Sequence, residues 1–359
     1  MRKSLTGLVA VGLTLALAAC GSSTTGDNDP NSVNANKGAT IGLALPTKAQ
    51  TRWIADGNNM VQQFTEMGYK SDLEYANDDG KNQAAQIQSM IDRGDKLLVV
   101  GAVDSTTLVP VLAKAAAAKI PVVAYDRLIL GTPNVNYYAT FDNLHVGVLQ
   151  GNLLVSRLGL PENKGPFTLE IFAGAPTDNN AKVFYTGAMS ILQPYIDSGT
   201  LVVKSGQTSF DKVATANWDG AVAGKRMTAL LKDYYPTGSV DAVLAPNDGL
   251  ALGIVKAFGS RKLPVISGQD AELTSVKAII AGQQTGTVYK DTRELAKVAV
   301  QMSNALLTGE TPIVNDTKTY NNGMKVVPTY LLAPVAVDKT NYKALLVDGG
   351  YYTAKDLAP

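Results

Sequence analysis

From residue 39 onward, short apolar runs alternate with longer segments in which apolar residues recur every three or four positions. The runs at 40–45, 71–76, 97–103, 122–125 and 135–141 read as strands, and the segments at 52–67, 81–93 and 106–119 as amphipathic helices. A second series follows. Strands are predicted at 167–172, 201–204, 242–244 and 265–267, and helices at 179–195, 213–232, 250–258 and 273–281. Strands alternating with helices of this length imply parallel βαβ units, and two such series imply two lobes. The tail repeats the pattern on a smaller scale: a strand at 286–289, a helix at 292–307, a strand at 326–332 and a last helical turn at 341–346.

The first 38 residues break this rhythm. Arg2 and Lys3 precede an uncharged, mainly apolar stretch from Leu5 to Ala19, and Leu17, Ala18 and Ala19 then lead into Cys20. A basic start, an apolar middle and small residues at the end make a secretory signal peptide over 1–20. About 15 apolar residues fall short of the ~20 that span a bilayer. The Leu-Ala-Ala-Cys ending resembles the bacterial lipobox, in which the cysteine is lipidated and becomes the new N-terminus. Cys20 is the only cysteine in the chain, so an internal disulfide is excluded and lipidation accounts for it. A diacylated, N-acylated cysteine would meet the two-anchor requirement for stable attachment to a membrane. Residues 21–38, rich in Gly, Ser, Thr, Asn and Asp, read as a flexible tether. Asp27, Asn28 and Asp29 within it lack the glycine and terminal glutamate of a calcium loop and are discounted as ligands.

Composition adds bounds. The chain has 359 residues, 45% of them hydrophobic and 18% charged, values that allow two ordinary domains with sizeable cores. The formal charge of +1 falls to −1 once Arg2 and Lys3 are removed. Near-neutrality leaves no basic stripe for phosphates, so nucleic acid is excluded as a partner.

Chemistry concentrates where strands end. In an open α/β sheet, ligands sit just beyond the carboxyl ends of the strands. The run Val122–Tyr125 ends there in Asp126 and Arg127, a carboxylate and a guanidinium able to accept from and donate to neighbouring hydroxyls. After the first strand come Lys48, Arg52 and Trp53, two cations and an indole whose flat face suits the C–H side of a sugar ring. Asp104 follows the third strand, and Asp142 and Asn143 follow the fifth, where a cap or hinge role suffices. In the second series Glu170 lies within a strand, Asn179 and Asn180 open a helix, and Trp218 sits among polar neighbours. Asn247, Asp270 and Lys290 each follow a further strand. Any one of these is accounted for by a cap or turn. Together they describe a pocket for a small, neutral, hydroxyl-rich ligand, since a phosphate would call for a glycine-rich cradle.

Enzymatic readings fare worse. His145 is the sole histidine, which excludes multi-histidine metal sites. Gly-x-Ser-x-Gly, His-Glu-x-x-His, P-loop and Gly-x-Gly-x-x-Gly motifs are all missing from the sequence. A paired-carboxylate glycosidase drawing on Asp126, Glu170 and Asp270 remains formally open. The expectation is a binding protein without cofactor.

Several runs carry a family resemblance. They are Pro46-Thr-Lys-x-x-x-Arg-Trp53, Ala124-Tyr-Asp-Arg-Leu128, Tyr138-Ala-Thr-Phe-Asp-Asn143, Asp178-Asn-Asn180, Ser267-Gly-Gln-Asp270, Lys290-Asp-Thr-Arg-Glu-Leu295 and Leu345-Leu-Val-Asp-Gly-Gly-Tyr-Tyr352. From about residue 39 to the C-terminus the chain resembles the sugar-binding lipoproteins and periplasmic proteins of ABC importers, nearest to the multiple-sugar-binding receptors related to xylose-binding protein. The resemblance implies the type I periplasmic-binding-protein fold: α/β, two Rossmann-like lobes joined by three crossover segments, ligand in the interlobe cleft. It puts 39–142 plus 290–325 in the first lobe and 143–289 plus 326–359 in the second.

By the same resemblance Lys48, Arg52, Trp53, Asp126 and Arg127 would contact a monosaccharide (an aldose such as xylose, glucose, galactose or arabinose) from the first lobe. Asn180, Trp218, Asn247 and Asp270 would do so from the second, with Lys290 at a crossover and Asp104, Glu170 and Asn179 as further candidates. Hinge closure would present the loaded form to the transmembrane subunits of an ABC permease, with the protein a monomer lipid-anchored on the extracytoplasmic face of the cell membrane. The same fold would also serve a sensor that presents its closed form to a membrane kinase. A sugar-responsive repressor would need a DNA-binding headpiece, and only signal and tether precede the first lobe.

Overall fold

The computed structural model describes residues 36–358 apart from 161, 163 and 164. The expected signal peptide, Cys20 and the expected tether through residue 35 lie outside the described residues. Eight elements open the chain: β1 (Thr40–Leu45), α1 (Thr51–Glu66), β2 (Lys70–Tyr75), α2 (Gly80–Arg93), β3 (Leu97–Val100), α3 (Val109–Ala117), β4 (Val122–Tyr125) and β5 (Tyr137–Phe141). Then follow α4 (Asn143–Leu158), β6 (Phe167–Ile171), α5 (Asn179–Asp197), β7 (Leu201–Val202), α6 (Phe210–Val213) and α7 (Gly220–Tyr234). The rest comprises β8 (Ala242–Leu244), α8 (Asp248–Phe258), β9 (Val265–Ile266), α9 (Leu273–Ile280), β10 (Gly286–Tyr289), α10 (Thr292–Thr308), β11 (Thr329–Leu332) and β12 (Val335–Asp338).

Local chemistry explains these boundaries. Asp79, Asp142, Asp178, Asp219 and Asp291 each accept from the first free N–H groups of α2, α4, α5, α7 and α10. The ends of α2, α4 and α10 are closed by Gly94, Gly159 and Gly309 in the left-handed region. In α1, Trp53, Met60 and Phe64 share one buried face and pack on β1 and β3.

The strands form two parallel sheets. The first has the order β11-β5-β4-β3-β1-β2 and the second β7-β6-β8-β9, while β10 and β12 pair antiparallel beside the second. In each parallel sheet the order reverses next to the first strand, at β1/β3 and at β6/β8. These are the switch points where helices leave on opposite faces and open a crevice. The chain crosses between the sheets three times: between β5 and α4, between β10 and α10, and between β11 and β12. Helix α10 buries Leu295, Ala299 and Met302 against the first sheet, whereas α4 packs on α5 and the second.

Three expectations are corrected. The division that gave all of 326–359 to the second lobe fails at β11, which pairs in parallel with β5 and so completes the first sheet. The single helix expected over 213–232 is broken: α6 ends at Val213, and α7 starts only after Asn217 and Trp218 have turned through φ of +54°. Asp219 caps the new start. Strand β12 was not anticipated; four residues after Pro334 carry too short a pattern to be read alone, and pairing with β10 creates the strand.

Candidate functional site

The carboxyl ends of both sheets face one cavity. Gln50, Arg52, Trp53, Asp126 and Arg127 line it from the first lobe; Asp178, Asn180, Phe184, Trp218, Asn247, Gln269 and Asp270 line it from the second, with Lys290 at the second crossover. It holds about 270 Å³ of empty space, open solvent at its mouth included.

Each wall is placed by its own element. After β4 the backbone turns at Asp126 with φ +59°, a conformation that is uncommon outside glycine. The turn is held because the Asp126 carbonyl accepts from the Tyr138 hydroxyl (2.6 Å), the Thr140 hydroxyl (2.9 Å) and, across the cleft, Asn180 Nδ2 (2.8 Å). Trp218 and Asp270 also sit at positive φ. Backbone strain of this kind persists where surrounding contacts over-determine it, often at ligand sites. Asn247 caps α8 through Leu250 N (3.0 Å) while lining the cavity, and Asp178 caps α5 while accepting from Trp218 Nε1 (3.2 Å) and pairing with Arg127 Nε (3.0 Å). Cap and pocket wall are one residue in both cases.

The charges interlock. Arg52 pairs with Asp126 (2.9 Å) and, across the cleft, with Asp270 (3.5 Å); Lys290 pairs with Asp270 (3.1 Å) and Asp126 (3.6 Å). Burial alone would raise the Asp126 carboxyl, but Arg52 and then Lys290 and Arg127 hold it at about 2. Burial likewise opposes the Arg52 charge, and Asp126, Asp56 and Asp270 together keep the guanidinium well above its ordinary range. The Trp53 ring lies between two cations, 4.5 Å from the Arg52 and 5.1 Å from the Arg127 guanidinium. Its Nε1 donor and the Gln269 Oε1 acceptor are buried with no hydrogen-bond partner, and Asp126 Oδ2, though ion-paired, has no aligned donor. A fixed set of unsatisfied donors and acceptors beside aromatic faces is chemistry for hydroxyl groups on an apolar ring.

Nine candidates meet here: Arg52, Trp53, Asp126, Arg127, Asn180, Trp218, Asn247, Asp270 and Lys290. Four do not. Lys48 is exposed, its ammonium 4.9 Å from the Tyr75 ring. Asp104 caps its own turn through Thr106 and Thr107, and Asn179 contributes its backbone N–H to Ser105 Oγ. Glu170 is fully buried on the other face of β6, accepting from Tyr235 (2.8 Å) and Ser205 (2.6 Å). It sits inside the strand, short of the carboxyl end that faces the cleft. This removes it from any carboxylate pair with Asp126 or Asp270, and a carboxyl held at about 2 is no general acid. Gln50 and Phe184 were not singled out, and Asp178 and Gln269 stood in the motif runs but not among the candidate contacts. Phe184 was within reach of sequence reasoning, since it follows Asn180 by four residues on one helix face.

Among the described residues there is no group of three or more His, Cys, Asp or Glu side chains suited to a metal ion, and no helix is long and apolar enough to cross a membrane. Two parallel α/β lobes, three crossovers and a polar-aromatic cavity between the strand ends define a cleft-binding protein of the type I fold. The chain belongs to the periplasmic binding protein family: the family described as "Periplasmic binding protein domain" matches residues 41–311.

The chain is 59% identical over 330 residues to the multiple sugar-binding periplasmic receptor ChvE of Rhizobium radiobacter, covering 90% of this chain and 93% of that protein. It is 34% identical over 326 residues to the D-xylose-binding periplasmic protein of Escherichia coli, covering 89% and 93%. Among solved structures it resembles an ABC transporter solute binding protein from Clostridium phytofermentans with bound β-D-glucose, with TM-score 0.87, 48% identity and coverage of 89% of this chain and 100% of that one.

Proposed function

We propose that the protein is an extracytoplasmic receptor that captures one monosaccharide in the interlobe cavity and delivers it to an ABC permease. The observation that carries this reading is the cavity wall itself. It joins three cations, three carboxylates, amides and aromatic rings from both lobes around one space. A neutral ring bearing several hydroxyls matches such alternating donors and acceptors; a phosphate or an extended oligosaccharide does not. The nine cavity residues named above are the proposed contacts, joined by Gln50, Asp178, Phe184 and Gln269. The glucose bound to the Clostridium relative and the sugars named for the receptors above support an aldose. Contacts from both lobes make closure a ligand-driven population shift. A micromolar dissociation constant corresponds to about −8 kcal/mol, within reach of a few charge-assisted hydrogen bonds at about 1.5–3 kcal/mol each. Cys20 is the proposed lipid anchor, keeping a monomeric receptor beside its permease.

The test is a thermal-shift panel of D-xylose, D-glucose, D-galactose, L-arabinose, ribose and a disaccharide. A ligand at 100 times its dissociation constant stabilises by about 2.7 kcal/mol, a shift of several degrees. One or more aldoses should raise the melting temperature and the disaccharide should not. No shift with any aldose would refute the reading.

A further inference from the structure

We propose that Asp56 and Tyr125 form a positioning pair that holds Arg52 ready for sugar without touching the sugar themselves. The proposal rests on the monosaccharide reading above and concerns the same site. Asp56 is fully buried and does not line the cavity. It lies one turn beyond Arg52 on α1 and takes two of the guanidinium's five donors in a fork, Nε at 3.0 Å and Nη2 at 2.9 Å. Its other oxygen accepts from the Tyr125 hydroxyl at 2.5 Å, and Tyr125 is the residue immediately before Asp126. Strand β4 therefore acts on Arg52 from both sides: Tyr125 fixes its counter-ion from behind, while Asp126 meets its Nη1 in the cavity.

The arrangement decides what the cavity carboxylates are free to do. Arg52 is only 6% exposed, so its donors must find protein partners. With Asp56 taking Nε and Nη2, Arg52 reaches Asp126 and Asp270 through Nη1 alone, the second at the long distance of 3.5 Å. Without the Asp56 carboxylate the guanidinium would turn further onto these two residues and occupy the oxygens that sugar hydroxyls would use. Asp56 thus sets sugar affinity by keeping Arg52 off its neighbours.

A titration step accompanies this. Burial pushes the Asp56 carboxyl up to about 6 against the pull of Arg52 and the Tyr125 hydroxyl. The titratable groups that interact with it are Arg52 on α1, Tyr125 on β4, Asp126 just after it, Tyr75 on β2 and Tyr351 of the C-terminal tail. Protonation removes the negative charge that holds the fork, so affinity is full above about 6 and falls as pH drops through that value. Glu272, on the loop before α9, titrates at about 7 with Arg52 among the charges acting on it, so the pH comparison is made in a Glu272→Gln background.

The experiment is calorimetric titration with D-glucose and D-xylose as probes. Asp56→Asn is expected to weaken binding roughly tenfold at pH 7.5, yet less than about twofold when Arg52 is already Met, because a residue acting through Arg52 is non-additive with it. In the Glu272→Gln background, affinity should drop through pH 6 with Asp56 present and stay flat with Asn in its place. Equal losses on both Arg52 backgrounds, unchanged binding by Asp56→Asn, or a pH step that survives the substitution would each overturn the proposal. If Asp56→Asn does not fold, Tyr125→Phe decides by the same cycle, with about threefold weakening expected and none on the Met background. Failure of the unsubstituted protein to bind either sugar would sink the receptor reading, and the role of Asp56 with it.

Discussion

Single residues in this cleft carry opposite proton affinities, and the signs separate them. Asp126 is held at about 2, below its unfolded value, so its contribution to stability is full above about pH 4 and is lost only as pH falls through 2. Glu272 goes the other way: burial and then Asp270 push its carboxyl up to about 7. A raised carboxyl contributes stability below its unfolded value, near 4.3, that is lost as pH rises through 7. Asp56 and Asp95, both raised to about 6, act in the same direction. The sugar-free protein should therefore melt at a higher temperature near pH 5 than near pH 8. Glu272→Gln should raise the pH 8 value and flatten the profile between 5 and 8. A calorimetric pH series reads both, and an unchanged slope in the variant would refute the assignment. At this scale Asp126, Arg127 and Trp53 were legible because their side-chain types fit only so many roles at a strand end. Glu170 was misread because residue type does not say which face of a strand it occupies, and Asp56 was silent because one carboxylate within an amphipathic helix is unremarkable until its neighbours are known.

Elements approach one another through small residues, and one such approach shapes the cavity. A Cβ on Gly174, just after β6, would lie 2.0 Å from Cη2 and 2.2 Å from Cζ2 of Trp218. The broken helix and this glycine together let the indole lie flat against the strand end. Gly174→Ala should displace the ring, lower stability by about 1–3 kcal/mol and weaken sugar binding about tenfold or more, as lost stacking and a shifted wall combine. Melting and titration of the variant check both; wild-type affinity would show that Trp218 is no part of the binding wall. The alternation of strands and helices was plain in the apolar periodicity. The break at 214–219 was not, since Asn217, Trp218 and Asp219 interrupt a run whose helical spacing continues on both sides.

For the whole molecule the decisive contacts are those that bridge the lobes, at the cavity wall and outside it. Ser105 donates its backbone N–H to Thr177 O (3.0 Å) and accepts from Asn179 N at its hydroxyl (3.1 Å), joining the loop after β3 to the start of α5. Asn180 reaches the Asp126 carbonyl, and Arg127 reaches Asp178. Each bond joins one lobe to the other. Ser105→Ala removes one of them without altering the cavity wall, so sugar should dissociate about two- to tenfold faster, the equivalent of one hydrogen bond at about 0.5–1.5 kcal/mol, with association little changed. Stopped-flow fluorescence measures this, and an unchanged off-rate would mean that the Ser105 contacts do not hold the closed form.

The sequence by itself determined the classes of thing this protein contains: two series of parallel βαβ units and polar side chains at successive strand ends. Those features are local, set by periodicity, capping and residue chemistry within a few positions of one another. Which strand ends converge was decided only by the tertiary structure, because parallel sheets join segments far apart in the chain. Arg52 and Asp270 lie 218 positions apart and share one ion-pair network. β11 belongs to the first sheet because β5 offers it an edge, and β12 exists because β10 does. Lys48 and Asp104 follow strands, Asn179 opens a helix beside Asn180, and Glu170 lies within a strand, so residue type and position in the chain did not set them apart from the nine that line the cavity. What separates the two groups is the direction in which each side chain leaves its backbone, which strand pleat, helix phase and turn geometry set only once the neighbouring elements are in place.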